Sequence, residues 1–134
     1  MDYRHKRCGF VLIEMMVVMA IISFLLSVAL PGYQQYVLQS YRLEATQELQ
    51  RLANLQQMLF AEQRRYSQDL TEFGFAERSY LMSSGRFRIS AEVLAHSYVL
   101  KAEAIDAQRL DERCLELSLD QFGTKRSYPS TSCW

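Results

Sequence analysis

A chain of 134 residues with 15 basic and 15 acidic side chains has room for one domain and no net charge to draw it to nucleic acid. Its five glycines form no phosphate-cradling loop. Its two histidines, His5 and His96, sit in no metal-ligand spacing, so neither a cofactor nor a metal centre is expected. The apolar residues are placed unevenly. Phe10 to Leu30 are 21 in a row, apolar except for Glu14, Ser23 and Ser27. At ~1.5 Å per residue, such a run crosses a hydrocarbon core as a helix. Arg4, Lys6 and Arg7 precede it, which holds the N-terminus in the cytoplasm and places the remainder on the far side of the membrane. The roughly 100 residues that follow suit one small exported domain.

Glu14 needs explaining. A carboxylate inside a spanning helix costs on the order of 2–3 kcal/mol even on lenient insertion scales. A secretory signal does not account for it: the apolar run exceeds the roughly 7–15 residues of such signals, and no small-residue cleavage site follows. A plain anchor leaves Glu14 to snorkel toward the interface. The order Cys8-Gly9-Phe10-Val11-Leu12-Ile13-Glu14, after a short basic leader and before a Met/Val/Ala/Ile/Leu run, resembles the class III signal of type IV prepilins. Val11 stands where that family more often has Thr. The resemblance implies cleavage by a prepilin peptidase between Gly9 and Phe10, N-methylation of Phe10, and assembly through Glu14. Residues 1–9 are then a leader, 10–30 an anchor and filament-core helix, and 31–134 the exported domain. Physical chemistry supports the role of Glu14. Cleavage frees an α-ammonium on Phe10, a group that ordinarily titrates near pH 8 and is mostly charged at neutral pH. In a water-free bundle, an ammonium and a carboxylate each need a partner. Glu14 of one subunit can pair with Phe10 of the next, which selects one axial stagger.

Pro31 and Gly32 follow at once. Proline removes a backbone donor and clashes with the carbonyl four residues back, at Ser27. Either the helix ends there or it kinks and continues. Renewed periodicity favours a kink: Tyr41, Ala45, Leu49, Leu52, Leu55 and Leu59 recur every three or four positions as one apolar stripe. The helix is expected to end near Arg64. Leu70, Phe73 and Phe75 then tuck apolar bulk against the core from a loop. Phe87, Ile89, Ala91 and Val93 alternate with polar residues, as do Tyr98, Leu100, Ala102 and Ala104, with a short hairpin link between them. Leu115, Leu117 and Leu119 mark a third strand, and the turn over 120–125 leads to a short fourth. The expected fold is α+β: a long kinked N-terminal helix, half anchor and half core, packed on an antiparallel sheet of three to four strands.

Cys8 precedes the span, while Cys114 and Cys133 follow it, free to pair in an oxidising compartment or to remain thiols. The stretch from Asp111 to Lys125, with Cys133-Trp134, is similar to minor pilins of the PilE-like type. That resemblance implies a Cys114–Cys133 bond closing an 18-residue loop, worth roughly 3 kcal/mol in the chain-entropy model. It also implies a structural role rather than an enzymatic one: a subunit of the pilus or its tip complex, serving twitching motility and adhesion. The implied partners are other pilins, the prepilin peptidase, the inner-membrane assembly platform, and membrane lipid before assembly. The basic pairs Arg64-Arg65 and Lys125-Arg126 read as solvated surface rather than a nucleic-acid patch. Two rivals remain: a pseudopilin of a type II secretion system, which shares the signal, and a single-pass periplasmic binding or sensor module with an uncut anchor.

Overall fold

The computed structural model describes residues 11–134; the proposed cleavage and methylation residues Gly9 and Phe10 lie outside them. One helix, α1, spans Leu12–Gln63. Five strands follow: β1 (Tyr80–Leu81), β2 (Phe87–Leu94), β3 (Ser97–Ala104), β4 (Cys114–Asp120) and β5 (Lys125–Pro129). Two 3₁₀ turns, Leu70–Phe73 and Asp106–Leu110, interrupt the connections. The chain divides into two compact units at Gln35/Tyr36.

In the first unit every described residue is exposed. Its helix has a mean hydropathy of 2.5 over its most apolar window, long and apolar enough to cross a membrane. The two serines do not leave bare hydroxyls there. Ser23 Oγ donates to the Met19 carbonyl at 2.7 Å and Ser27 Oγ to that of Phe24 at 2.7 Å, the usual way a helix absorbs a serine where water is absent. Pro31 sits inside α1, so the helix does not stop there.

The second unit contains residues 36–134. Its sheet is a meander in the order β1-β2-β3-β4-β5, antiparallel throughout. β2, β3 and β4 fall where period-two alternation places them. The sheet has one strand more than the expected three to four. β1, only two residues long, is too short to show any alternation. The core joins Ala45, Leu49 and Leu52 of α1 to Phe87 and Ile89 of β2, Leu100 and Ala102 of β3, and Leu117 of β4, all fully buried. Each buried leucine or phenylalanine contributes about 2 kcal/mol relative to exposure.

The expected phase of β4 fails at one position. Leu115 is only half-buried, whereas Cys114 is buried alongside Leu117 and Leu119. The cause is a register shift: Cys114 opposes Pro129, but Glu116 already opposes Tyr128. One extra residue in β4 makes a bulge, and every side chain before it changes face.

The buried face of the helix holds two polar residues, Thr46, whose hydroxyl donates to the Leu43 carbonyl at 2.8 Å, and Gln56. Gln56 is fully buried; its Nε2 donates to the Ser67 carbonyl at 2.5 Å and its Oε1 accepts from the Ser67 N–H at 2.9 Å. That pair of bonds fastens the chain just after the helix ends. Gln56→Leu keeps the volume but strands both backbone groups of Ser67, so a loss of roughly 2 kcal/mol in denaturant unfolding is expected. A loss under ~0.5 kcal/mol would show that water reaches Ser67 instead.

β1 is held from the helix side. Tyr80 Oη donates to Glu48 Oε1, and Arg51 donates to both oxygens of the same carboxylate at 2.9 and 2.6 Å. Arg51 also lies 5.1 Å above the Phe75 ring, which stacks on Tyr80 at 4.1 Å. The Arg51 bonds hold the Glu48 carboxyl below its ordinary range, burial opposing and Tyr80 assisting. A carboxyl depressed in the fold stabilises it above its unfolded pKa of about 4.3, and that stability is lost as pH falls through the folded value. Glu48→Gln is therefore expected to cost under ~1 kcal/mol at pH 7 and to flatten the decline in stability below about pH 4.3. Unfolding curves from acid to neutral pH check it; an unaltered acid limb would rule out this group as a contributor.

Candidate functional site

Two places carry the chemistry expected from the sequence: the start of α1 and the disulfide loop. At the first, Glu14 lies in the first turn of α1, its N–H bonded to the Val11 carbonyl at 2.8 Å. Its side chain is exposed, and among the described residues it has neither an ion-pair partner nor a side-chain hydrogen bond. Val11, Leu12, Ile13 and the apolar residues to Leu30 are exposed beside it. An uncovered apolar cylinder of this length requires lipid or other helices around it, and its one carboxylate lies near the cylinder's end. Pro31 and Gly32 lie farther along the same segment; a Cβ added at Gly32 would meet nothing within 4 Å, so this glycine is not demanded by packing inside the chain.

At the second place, Cys114 and Cys133 form a disulfide between residues 19 positions apart, with both cysteines buried. The bulge in β4 is what directs Cys114 to the core side. The bond is fixed from the helix as well. Arg42 Nε and Nη2 both donate to Asp111 Oδ2, at 3.1 and 2.6 Å, and Asp111 is only 7% exposed. The Asp111 carbonyl accepts the Cys114 N–H at 2.9 Å, so this ion pair sets the chain immediately before the cysteine. Gln108, fully buried, donates to the Leu38 carbonyl at 3.1 Å and ties the preceding 3₁₀ turn to the same helix. Beyond Cys133, Trp134 Nε1 donates to the Arg126 carbonyl at 2.7 Å, and Lys125 Nζ lies 5.3 Å above its ring. The indole thus occupies one acceptor of the sheet's β5 edge, a group that would otherwise invite another strand.

A family model described as the prokaryotic N-terminal methylation motif matches residues 4–30. A second, described as type IV minor pilin ComP, DNA uptake sequence receptor, matches residues 31–118. The chain belongs to the type IV pilin family. Its relatives agree. It is similar to the type IV major pilin protein PilA of Myxococcus xanthus (strain DK1622), 41% identical over 74 residues, which covers 55% of this chain and 34% of that protein. Two fimbrial proteins of Pseudomonas aeruginosa are each 32% identical over 87 residues, 60% of this chain and 56% of theirs. The match thus spans between about a third and somewhat more than half the length of these relatives. A solved type IV pilin from Shewanella oneidensis shares the fold with a TM-score of 0.55 at 25% identity, covering 72% of this chain and 97% of that one. The family is one of structural subunits, not of enzymes, and a type II secretion pseudopilin is not favoured by these matches.

Sequence reasoning alone did not find the pilin's Arg42–Asp111 pair, Gln56 or Gln108. Each joins positions remote in the chain or hides a polar residue in an apolar stripe, and period counting gives no signal for either.

Proposed function

We propose that this protein is a minor pilin made as a single-pass precursor with its N-terminus in the cytoplasm, cleaved between Gly9 and Phe10, methylated at Phe10, and built into a pilus or its initiating tip complex. The observation that carries the reading is the exposed apolar helix with one carboxylate, Glu14, in its first turn that has no partner among the described residues. Lateral packing with other pilins covers the apolar surface, and the Phe10 ammonium of a neighbour supplies the missing cation. A kink at Pro31-Gly32, where the Ser27 carbonyl loses its usual donor, would adapt the helix to that packing. Prepilin peptidase and the inner-membrane platform act on the precursor, and the finished filament supports twitching and adhesion. Intact-mass analysis of isolated filaments tests this: a chain beginning at methylated Phe10 supports it, while a chain retaining residues 1–9 in filaments refutes it and restores the plain anchor.

The matched family is described as a DNA uptake sequence receptor, which supports a second reading, DNA uptake. Several basic residues already face carboxylates: Arg42 with Asp111, Arg51 with Glu48, Arg65 with Glu72 and Lys101 with Glu92. A DNA surface would have to draw on others, Arg126 among them. Duplex binding whose affinity falls steeply with salt would favour this reading.

A further inference from the structure

The strand β1 forms one edge of the sheet. Between it and the helix runs an open groove of about 470 Å³, lined by Glu44, Gln47 and Glu48 of α1 and by Leu81, Met82 and Ser83. The groove lies wholly within residues 36–134, so it stands apart from the pairing of Glu14.

The strand register decides which backbone groups point away from the sheet. Tyr80 opposes Ile89 and Leu81 opposes Arg88, and the Met82 N–H donates to the Phe87 carbonyl at 3.0 Å. Bonded pairs alternate along an antiparallel ladder. Tyr80 and Met82 therefore turn their N–H and C=O inward to β2, and Leu81 turns its own outward. Among the described residues neither outward group of Leu81 has a backbone partner beyond the sheet. Side chains alternate as well. Tyr80 points to the helix, where it meets Glu48, and Leu81 lies on the open face beside Arg88, 52% exposed.

Three charged side chains line the groove: Glu44, Glu48 and Arg51. Arg51 bonds both oxygens of Glu48, and Tyr80 bonds one of them, which holds the strand rigidly against the helix. Glu44, one turn earlier, makes no ion pair among the described residues, so its carboxylate sets the charge of the groove. A phosphate backbone would meet that carboxylate and find no free cation beside it.

We propose that this groove takes an extended segment of a partner protein as an added strand, with an apolar residue opposite Leu81 and Lys or Arg on either side of it. The residue opposite Leu81 exchanges two backbone hydrogen bonds with it and lays its side chain against the exposed leucine. Its neighbours in the strand point to the other face, toward α1, where Glu44 supplies the counter-charge. The two-residue length of β1 confines pairing to this one bridge, which keeps the edge from recruiting long strands indiscriminately.

The test uses the full chain in nanodiscs of phosphatidylcholine, a neutral surface that does not attract a cationic probe. Three blocked peptides are titrated by calorimetry and by amide NMR: Thr-Lys-Val-Lys-Thr, the same peptide N-methylated at valine, and Thr-Glu-Val-Glu-Thr. The lysine peptide is expected to bind with a Kd on the order of 1 mM and to shift the Leu81 amide resonance. N-methylation removes the donor to the Leu81 carbonyl and leaves the protein untouched; it should weaken binding by roughly tenfold, and the glutamate peptide should bind no better. Glu44→Lys should weaken the lysine peptide by roughly tenfold without lowering the melting temperature. Absence of lysine-peptide binding, an unmoved Leu81 amide, equal binding of either control peptide, or an affinity indifferent to Glu44→Lys each overturns the proposal.

Discussion

Replacing Glu14 with alanine is expected to leave membrane insertion intact and to lower incorporation of this pilin into filaments by about two orders of magnitude. Insertion should even become easier, because the substitution removes a charge from the spanning run. Assembly should suffer because the Phe10 ammonium of the neighbouring subunit loses its partner inside a packed, water-poor bundle. Removing one member of a buried ion pair costs about 3–5 kcal/mol, and each 1.4 kcal/mol is about tenfold in an equilibrium. Glu14→Gln separates charge from shape: it keeps the size and polarity but offers no counter-charge, and should fail nearly as badly. Quantitative mass spectrometry of membrane and filament fractions measures the ratio directly. Wild-type incorporation of either variant would end the charge-pairing account.

Replacing Cys133 with serine is expected to lower the stability of the domain formed by residues 36–134 by about 3 kcal/mol, the loop-closure value for a bridge between residues 19 positions apart. For a domain of roughly 100 residues this is a fall in melting temperature of about 12–20 °C. The loss should exceed that of an ordinary surface substitution because the tail beyond Pro129 has few other attachments. Those it has include the Ser130 N–H on the Arg113 carbonyl at 3.0 Å, the Ser127 hydroxyl on the Ser130 carbonyl, the Trp134 indole on the Arg126 carbonyl and Lys125 over the indole ring. A reducing agent should reproduce the shift in the wild-type chain and leave Cys133→Ser unaffected. Equal melting temperatures for variant and wild type would show that the bond contributes nothing to folding.

Both effects trace to residues whose meaning depends on different kinds of information. The run from Val11 to Leu30, the placement of Glu14 and the three main strands are local patterns. An apolar helix or an alternating strand is written in neighbouring residues because burial repeats with the period of the backbone, ~3.6 for the helix and 2 for the strand. The α+β architecture, the helix stripe at Ala45, Leu49 and Leu52, and the alternation over 87–93, 98–104 and 114–119 were legible for that reason, whereas Leu94 and Ser97, expected in the hairpin link, extend β2 and β3.

Other features belong to the tertiary structure. The two-residue β1 exists because Glu48, Arg51 and Phe75 hold Tyr80 from elements far along the chain. The bulge that turns Cys114 inward appears only once β4 is paired with β5, since a bulge is a mismatch of two strands and neither one alone records it. Gln56 is buried because a loop carbonyl and amide need it, and Asp111 because Arg42 reaches it across 69 positions. The sequence by itself determined which segments span, coil and pair, since those follow from the nearest few residues. Only the folded chain decided which polar groups could be buried, because a buried donor or acceptor is tolerable only where a partner from elsewhere meets it.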